Sequence, residues 1–435
     1  MRIVTVSCAL PVIGAGAAGN WLPLLLQELV KAGHDVSHVL GRGKYSTRSI
    51  ESDENHVAYA KIGVNIYPVD FVKDAKSHIG RSQSKLDSIK RLIGIYPAEP
   101  AHIWPREFAT ATIANDIIRS LRPDCVVCLA LDGMLLAGDW HETPKIAIDA
   151  EGPHINIALR WKYTPKIRPT ISWSFIKYTY SCWLEYTRLR DAYIKILKVQ
   201  DRLLLQGPHY AEWATRQNIN NAYYCATPIP DFAADDPFIN TNNDDPMLRK
   251  SRIIVVGHFN STSSQTSLPL LFDGVLPKLL EKLGADNFEL HIIGRNETLP
   301  DIYAHWRNHP SVFFRGPITP LGPELINADV VLVTVPGRTG RRMRIVHSLS
   351  YGCCIIAHIN NRFGLPELMH GESILFGKNS EELTLLIVKA LRDPILRDKI
   401  SHAARKIFEK SYTSKIRMPE IIEHIHQANL KATTT

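Results

Sequence analysis

Residues 337–352 have the sequence Gly-Arg-Thr-Gly-Arg-Arg-Met-Arg-Ile-Val-His-Ser-Leu-Ser-Tyr-Gly, and an apolar run at 329–335 leads into them. Proline and glycine at 336–340 predict a turn, and from about Arg342 the apolar residues recur at helical spacing. Gly352 stands where such a helix would end, and the apolar run 353–357 predicts another buried strand. This succession of strand, turn, helix and strand indicates an α/β fold with a parallel, doubly wound sheet.

The start of the predicted helix is strongly basic, with arginine at positions 338, 341, 342 and 344. The first turn of a helix leaves backbone N–H groups unpaired and carries the positive end of the macrodipole, so cations there are locally unfavourable. Guanidinium groups and helix-start amides both suit phosphate oxygens. The stretch therefore predicts a phosphate or diphosphate site, and a solvated basic surface loop is the alternative.

From Gly340 to Gly352 the chain resembles the donor-binding segment of the GT-B retaining glycosyltransferases called group 1, usually Gly-Thr-Arg-Leu-Lys-x-x-Glu-Ala-Met-Ala-x-Gly. On this match Arg342 takes the place of the motif's arginine and Arg344 that of its lysine. The resemblance implies that both arginines neutralise the diphosphate of a sugar nucleotide and act in catalysis. His347 departs from the motif, because the family has a ribose-binding glutamate there, and a neutral histidine can accept only one hydrogen bond.

The resemblance extends over about 250–412, where the turn after strand 252–256, the Ile-Gly-Arg ending at 295 and the Gly-Leu-Pro-Glu at 364–367 match the family. In the first half it is diffuse. The Gly-Ala-Gly-Ala-Ala-Gly at 14–19, before a helix expected from Trp21, fits a dinucleotide loop weakly, and the resemblance instead implies approach to the donor diphosphate. The donor-binding residues implied are Gly14, Gly16, His258, Asn260, Arg295, Thr339, Gly340, Arg341, His347 and Glu367.

Polar residues in the first half follow two predicted strands, 125–131 and 145–148. The carboxyl ends of parallel strands meet at one edge of a sheet, where ligands collect. We therefore expect Asp132, Glu151 and His154 on the acceptor side of the site, where a carboxylate could orient or deprotonate an acceptor hydroxyl. Helix capping by Asp and turn formation at Gly-Pro are the alternative.

Basic and aromatic residues alternate through 155–196, from Arg160 and Trp161 to Tyr186 and Arg190. Rings at the headgroup level and cations on anionic lipid suit a membrane interface. A long helix that packs its rings inward is the structural alternative, and single-stranded nucleic acid is the third and least favoured interpretation.

The composition describes an ordinary globular protein, with 435 residues, 45% of them hydrophobic, and a net charge of +8. This length allows two domains with substantial cores, and the charge favours anionic partners. No apolar run reaches the roughly 18 residues of a membrane span. Residues 1–7 favour a first strand over a signal peptide, and seven scattered cysteines favour a reducing compartment, so we expect a cytoplasmic protein.

The expected architecture is α/β, with two doubly wound, Rossmann-like domains that face a cleft, as the resemblance to GT-B proteins implies. The boundaries are an acceptor-side domain at 1–232, a linker at 233–248, a nucleotide-sugar-binding domain at 249–412, and a C-terminal helix at 413–435 crossing back to the first domain. The Asp-rich linker has no other ligands in view, so we expect no metal site there.

The function implied by the resemblance is transfer of a sugar from a nucleotide-diphosphate sugar to an acceptor hydroxyl, with retention and without metal or other cofactor. The acceptor stays open among a glycan, a lipid-linked molecule and a small molecule, in glycan or glycolipid synthesis. An anionic membrane surface is a further expected partner, on the cytoplasmic side. A sugar-nucleotide epimerase of the same fold, or a non-catalytic protein that binds nucleotide sugar or glycan, is the alternative.

Overall fold

The computed structural model describes residues 1–8, 10, 16–42, 53–72, 99–167, 173–234, 249–259, 261–295 and 299–434, with side chains described throughout except at 16–20, 53–55, 164–167, 174 and 431–434. These residues form two compact units. Unit 1 comprises Met1–Ile157, Trp173–Pro230 and Ser414–Thr435, and unit 2 comprises Ala158–Ser172 and Asp231–Thr413.

Unit 1 is built on a seven-stranded sheet in the order β3-β2-β1-β4-β5-β6-β7, in which every neighbouring pair is parallel. Its strands are β1 (Arg2–Ser7), β2 (Asp35–Arg42), β3 (Asn65–Asp70), β4 (Cys125–Leu129), β5 (Lys145–Asp149), β6 (Arg202–Leu205) and β7 (Ala222–Tyr224). β4 and β5 are buried along their whole length, as is usual for parallel strands with both faces covered.

The structure describes eight helices in the first half, and those that belong wholly to unit 1 cover both faces of its sheet, whereas residues 158–167 of the sixth helix belong to unit 2. The helices are α1 (Gly16–Lys31), α2 (Asp53–Lys61), α3 (Pro100–Ile103), α4 (Pro105–Ser120), α5 (Ala130–Ala137), α6 (His154–Ile167), α7 (Trp173–Lys198) and α8 (Pro208–Arg216). Two clusters of buried side chains separate them from the sheet, one against α1 and one against α4, α5, α7 and α8.

Unit 2 has a six-stranded parallel sheet in the order β10-β9-β8-β11-β12-β13. The strands are β8 (Ser251–Val256), β9 (Phe288–Ile293), β10 (Val312–Gly316), β11 (Val330–Val333), β12 (Ile355–His358) and β13 (Leu375–Gly377). The helices are α9 (Thr262–Gln265), α10 (Leu276–Leu283), α11 (Gly322–Ile326), α12 (Met343–Ser350), α13 (Ser380–Arg392) and α14 (Pro394–Ser411), with a π-helix at Pro269–Val275 and 3-10 helices at Asp301–Asn308 and Ile359–Gly364.

The last helix, α15 (Ser414–Thr434), belongs to unit 1. It places Met418, Ile421 and Ile425 in the same buried cluster as the apolar face of α1. The two parallel sheets confirm the predicted α/β class. Within the described residues, no helix is long and apolar enough to cross a membrane.

The end of β4 differs from the sequence prediction. The strand was expected to reach Leu131, but it ends at Leu129, and Asp132 lies in the first turn of α5. Ala130 makes the sharp turn with a left-handed backbone (φ 59°), and the Cα of Gly133 packs so closely on β1 that a Cβ there would lie 2.2 Å from the carbonyl oxygen of Val6. The helix therefore starts two residues earlier than apolarity alone suggests.

The glycine loop also starts a helix earlier than predicted. α1 begins at Gly16 rather than at Trp21, so Gly16 and Gly19 lie in the first turn of the helix. Gly14 lies outside the described residues. The predicted approach of Gly14 and Gly16 to a diphosphate stays a prediction.

Candidate functional site

The basic loop of unit 2 connects β11 to α12. Strand β11 is buried throughout and anchors the start of the loop in the core. In α12 the N–H groups of Ile345 and Val346 donate to the carbonyl of Arg342 (2.9 and 3.2 Å), so those of Met343 and Arg344 precede the first helical hydrogen bonds. No acidic residue occupies the first turn. The start of α12 therefore has the backbone donors and dipole that suit an anion.

Arg344 points from α12 towards the loop after β8. Its Nη2 donates to the hydroxyl of Ser264 (3.2 Å), and its Nη1 packs so closely on Gly257 that a Cβ there would lie 2.5 Å away. Burial lowers the pKa of Arg344 to about 10, and the charge of Arg342 contributes. No ion pair joins Arg344 to a carboxylate among the described residues. The loop at 257–267 itself contains six hydroxyl residues and no lysine or arginine. The positive charge beside this loop therefore comes from Arg344 of α12.

Arg342 has a different environment, because the loop itself uses its donors. Its Nε donates to Oδ1 of Asn361 (3.2 Å), and its Nη2 donates to the carbonyl of Gly337 (3.4 Å) and to the hydroxyl of Thr339. Asn361 is in turn fixed to the carbonyls of Val335 and His358. Arg342 and Thr339 are both buried, so this network shapes the loop around the start of α12.

The other two arginines of the stretch stack on aromatic rings. The guanidinium of Arg341 is buried and lies 5.3 Å from the ring centroid of Tyr412, and that of Arg338 lies 3.9 Å from the ring of Phe363. The backbone between them is crowded by the following 3-10 helix: a Cβ on Gly364 would lie 2.3 Å from the carbonyl oxygen of Gly340. Because Gly364 has no side chain, the basic loop can pack directly against the end of the 3-10 helix Ile359–Gly364.

The turns after β8 and β9 are joined through His258 and Arg295. The backbone N–H of Arg295 donates to Nδ1 of His258 (3.0 Å), and Phe259 N–H donates to the carbonyl of Arg295 (2.8 Å). Both side chains are exposed at the carboxyl edge of the sheet, where ligands of such sheets bind. Asn260, the third residue predicted here, lies outside the described residues.

His347 lies half-buried between two aromatic rings of unit 2. The centroids of Phe232 and Tyr351 are 4.1 and 5.7 Å from its own. Burial lowers the pKa of His347 to about 4, whereas an ordinary histidine titrates near 6.5. The ring is therefore neutral from pH 5.5 to 8, and any loss of donor affinity through protonation of His347 should occur only at more acidic pH.

Glu367 accepts a hydrogen bond from the hydroxyl of Tyr412 (2.7 Å), at the end of α14. The same tyrosine ring lies under the guanidinium of Arg341. Glu367, Tyr412 and Arg341 therefore form one connected group behind the basic loop. Glu367 and the loop residue Arg341 thus both contact Tyr412, and the predicted contact of Glu367 with a donor stays a prediction.

In unit 1, polar residues gather at the carboxyl ends of β4 and β5. Asp149, the last residue of β5, is buried, and its carboxylate accepts from the hydroxyl of Tyr193 (2.6 Å) and the N–H of Ala150 (2.8 Å). Burial raises its pKa to about 7; the two hydrogen bonds oppose the rise, and the charges of Glu151 and Asp132 add to it. The predicted carboxylates Asp132 and Glu151 are therefore close enough to interact with Asp149.

Glu151 is half-buried and accepts a hydrogen bond from the hydroxyl of Tyr210 (3.2 Å). Asp132, at the start of α5, is also half-buried, and its carbonyl accepts from the thiol of Cys8 (3.6 Å). These two carboxylates reach solvent, whereas Asp149 lies behind them. An acceptor hydroxyl at this edge could therefore meet Glu151 or Asp132 directly.

His154 is only 2% exposed and packs among the rings of Tyr186, Tyr193 and Trp213, with centroids 5.2–5.8 Å away. Burial lowers its pKa to about 4, so the ring is neutral at neutral pH. Its Nδ1 has no hydrogen-bond partner among the described residues. A Cβ on Gly152 would lie 2.7 Å from this nitrogen, so glycine is needed for the ring to fit. The burial favours a packing role for His154.

The polar stretch 149–154 that follows the predicted strand at 145–148 includes Asp149, whereas neither Tyr193 nor Tyr210 was selected from the sequence. Asp149 closes a strand whose other residues are all buried, and a carboxylate buried there needs donors. The tyrosines come from α7 and α8, 44 and 59 residues from their carboxylate partners, and no local pattern indicates them. Within the described ranges, no three histidine, cysteine or acidic side chains are placed to hold a metal ion.

Comparison with known proteins gives a family match for unit 2. Residues 250–393 match the family described as glycosyl transferases group 1. No curated protein matches the chain at a significant level. The family match covers the basic loop, α12, and the residues His258, Arg295 and Glu367.

Solved structures match nearly the whole chain at low identity. Anabaena HepE in complex with UDP has a TM-score of 0.62 at 11% identity, covering 98% of this chain and 100% of its own. Sucrose-phosphate synthase from Thermosynechococcus elongatus has a TM-score of 0.61 at 13% identity, with the same coverage. A glycosyltransferase from Rickettsia africae has a TM-score of 0.60 at 12% identity, covering 98% of each chain. These likenesses show a GT-B fold, as predicted from the sequence.

Proposed function

We propose that this chain transfers a sugar from a nucleotide-diphosphate sugar to an acceptor hydroxyl. Its residues 250–393 match the group 1 glycosyltransferases, and its fold is GT-B. The observation that carries the proposal is Arg344, whose guanidinium faces the hydroxyl-rich loop after β8 without a carboxylate partner among the described residues. A cation held in this way at a helix start suits a diphosphate. The complex of HepE with UDP supports a nucleotide donor.

In the proposed reaction the acceptor oxygen bonds to the anomeric carbon, and the electron pair of the broken sugar–phosphate bond leaves with the diphosphate. Arg344 and the first amides of α12 stabilise the charge that develops on the diphosphate. Arg342, through Thr339 and Asn361, holds the loop in the shape that presents these donors. Because fixed cations perform this role, the proposal includes catalysis without a metal, and retention of anomeric configuration follows the family resemblance.

The donor is tested by a thermal-shift screen against UDP-, GDP-, ADP- and TDP-sugars. A ligand that binds only the folded protein adds about 2.7 kcal/mol of stability at 100 times its dissociation constant. We expect one nucleotide class to raise the melting temperature and the others to leave it unchanged. A protein that no nucleotide diphosphate stabilises, in the screen or in calorimetry, contradicts the proposal.

The alternatives predict different products. An epimerase would convert the donor sugar without an acceptor, so product analysis of donor alone separates it from a transferase. A non-catalytic binding protein, which the replacement of the family's glutamate by His347 would fit, would bind the donor and release neither sugar nor nucleoside diphosphate. Slow hydrolysis of the donor by water therefore favours the transferase over both.

The proposal includes contact of α7 with an anionic membrane surface on the cytoplasmic side. Trp173, Ile176, Tyr180 and Trp183 are exposed, Trp173 to 81%, and their spacing places them on one helical face. Exposed Lys177 lies beside them, and α7 has five lysines and arginines against two acidic residues. Aromatic rings and cations on one face complement the headgroups of anionic lipid. The same helix carries Tyr193, so a lipid-linked acceptor could reach the carboxylates of unit 1.

Combining Trp173→Ala with Lys177→Glu should reduce sedimentation with liposomes that contain anionic lipid, because it removes a ring and reverses a charge on this face. Added salt should weaken wild-type binding as well. The matched control is Lys198→Glu with Val199→Ala, which changes the exposed last lysine of α7 and the exposed apolar residue that follows the helix. Equal reduction by both pairs, or no binding by the wild type, would show that this face does not recognise a membrane.

A further inference from the structure

Asp149 is the buried member of three acidic residues at the carboxyl edge of the unit 1 sheet. Glu151 follows it on the same loop, and Asp132 comes from the start of α5. Tyr193 of α7 donates to Asp149, and Tyr210 of α8 donates to Glu151. Each of these two carboxylates therefore accepts a hydrogen bond from a tyrosine hydroxyl, and Asp149 is the more buried of the two.

The groups that face Asp149 come from each element packed against it. Its own loop contributes the N–H of Ala150, and β6 contributes the N–H of Gln206, which donates to the carbonyl of Asp149 (3.0 Å). From α6, the neutral His154 ring packs against Tyr193. On α7, Arg190 and Asp191 act on His154 with opposite signs.

Within the described residues, no lysine or arginine forms an ion pair with Asp149. A negative charge on Asp149 is therefore stabilised only by hydrogen bonds, and it repels the negative charges of Glu151 and Asp132. The absence of a cation is unusual for a buried carboxylate, because burial of an unpaired charge is costly. The three acidic groups cannot all be ionised here without mutual repulsion.

We propose that Asp149 is a positioning residue for the transfer reaction, and that its charge sets the basicity of Glu151 towards the acceptor hydroxyl. This inference rests on the proposed function. When the acceptor oxygen attacks the anomeric carbon, Glu151 accepts a hydrogen bond from the acceptor hydroxyl and orients it, and the proton goes to the departing diphosphate oxygen, which keeps the step consistent with retention. An ionised Asp149 raises the proton affinity of Glu151 through space, so the step is faster when Asp149 has lost its proton.

The raised pKa of Asp149 gives the direction of the pH dependence. With a pKa of about 7, Asp149 is protonated on the acidic side of neutrality and ionised on the basic side. The rate should therefore rise with pH through about 7, by about 10-fold for two carboxyl groups coupled through a poorly screened medium. Asp149→Asn should lack this rise and resemble the wild type at low pH.

The first test needs no substrate. Carbon-13 labelling of aspartate carboxyl groups follows the titration of Asp149 by NMR, assigned by its loss in Asp149→Asn. Glu151→Gln should move the inflection to lower pH, because it removes a neighbouring negative charge. Tyr193→Phe should move it to higher pH, because it removes a donor to the ionised form. An inflection unchanged by Glu151→Gln overturns the coupling.

The second test measures release of nucleoside diphosphate from UDP-glucose, with water as acceptor, between pH 5.5 and 9. The expected result is a rise in kcat through neutral pH that Asp149→Asn abolishes and Tyr193→Phe shifts upward, with KM for the donor unchanged. A wild type that binds no donor and releases no diphosphate contradicts the proposed function, and the NMR titration still decides the coupling. An active Asp149→Asn that keeps the pH-dependent rise contradicts the inference alone.

Discussion

Replacing Arg344 by alanine should lower the rate of sugar transfer by ~10²–10³, the usual effect of removing one fixed donor to a developing negative charge. We expect this large decrease in rate because Arg344 is a cation that faces the loop after β8, where its guanidinium contacts Ser264 and Gly257. The measurement is kcat for release of nucleoside diphosphate, together with calorimetric binding of the donor.

Loss of folding is controlled by the melting temperature. Arg344 has no carboxylate counter-ion among the described residues, so its removal strands no buried charge, and Arg344→Met also keeps most of the volume. The matched control is Arg338→Ala, which removes an exposed arginine of the same loop that stacks on Phe363. Unaltered turnover in Arg344→Met, or an equal loss in Arg338→Ala, would show that Arg344 is an ordinary basic residue.

Gly364→Ala should abolish donor binding, because its Cβ would lie 2.3 Å from the carbonyl oxygen of Gly340. The contact is with backbone, so no side-chain rotation can relieve it, and the loop from Gly337 to Arg342 must move away from the 3-10 helix. Overpacking of this kind typically costs about 1–3 kcal/mol of stability. Calorimetry with the donor and urea unfolding together measure the two effects.

The control for Gly364→Ala is Gly274→Ala, in the π-helix of the same unit. Its Cβ would lie 2.7 Å from Cβ of Ser380, so it also overpacks unit 2 but does not contact the basic loop. Both variants should lose stability, and only Gly364→Ala should lose the donor. Donor affinity retained by Gly364→Ala, despite its loss of stability, would mean that the loop does not shape the donor site.

The sequence alone determined the α/β class and most elements of unit 2. The strand predicted at 252–256 is Ser251–Val256, the strand predicted at 353–357 overlaps Ile355–His358, and the basic helix is Met343–Ser350. These elements were predictable because short-range signals set them: apolar runs in buried parallel strands, helical spacing, and glycine at the helix end. The family motif lies in the same continuous stretch, so the position of the basic loop was predictable too.

Elements set by long-range packing were not predictable. The early end of β4 depends on Gly133 meeting Val6 of a distant strand. Likewise, four arginines that look equivalent in the sequence have separate environments, since Arg342 bonds to Asn361 and Arg344 to Ser264, 80 residues away. The sequence shows four arginines close together, but it does not show which of them another segment of the folded chain will contact.

The charge states of the site also required the tertiary structure. His347 and Asp149 have ordinary pKa values as free side chains, and burial lowers that of His347 to about 4 and raises that of Asp149 to about 7. Phe232, 115 residues before His347, covers its ring, and Tyr193 of α7 reaches Asp149. Desolvation depends on every segment that folds over a group, so residue type and spacing determined which groups are present, and only the packed chain determined how they are charged.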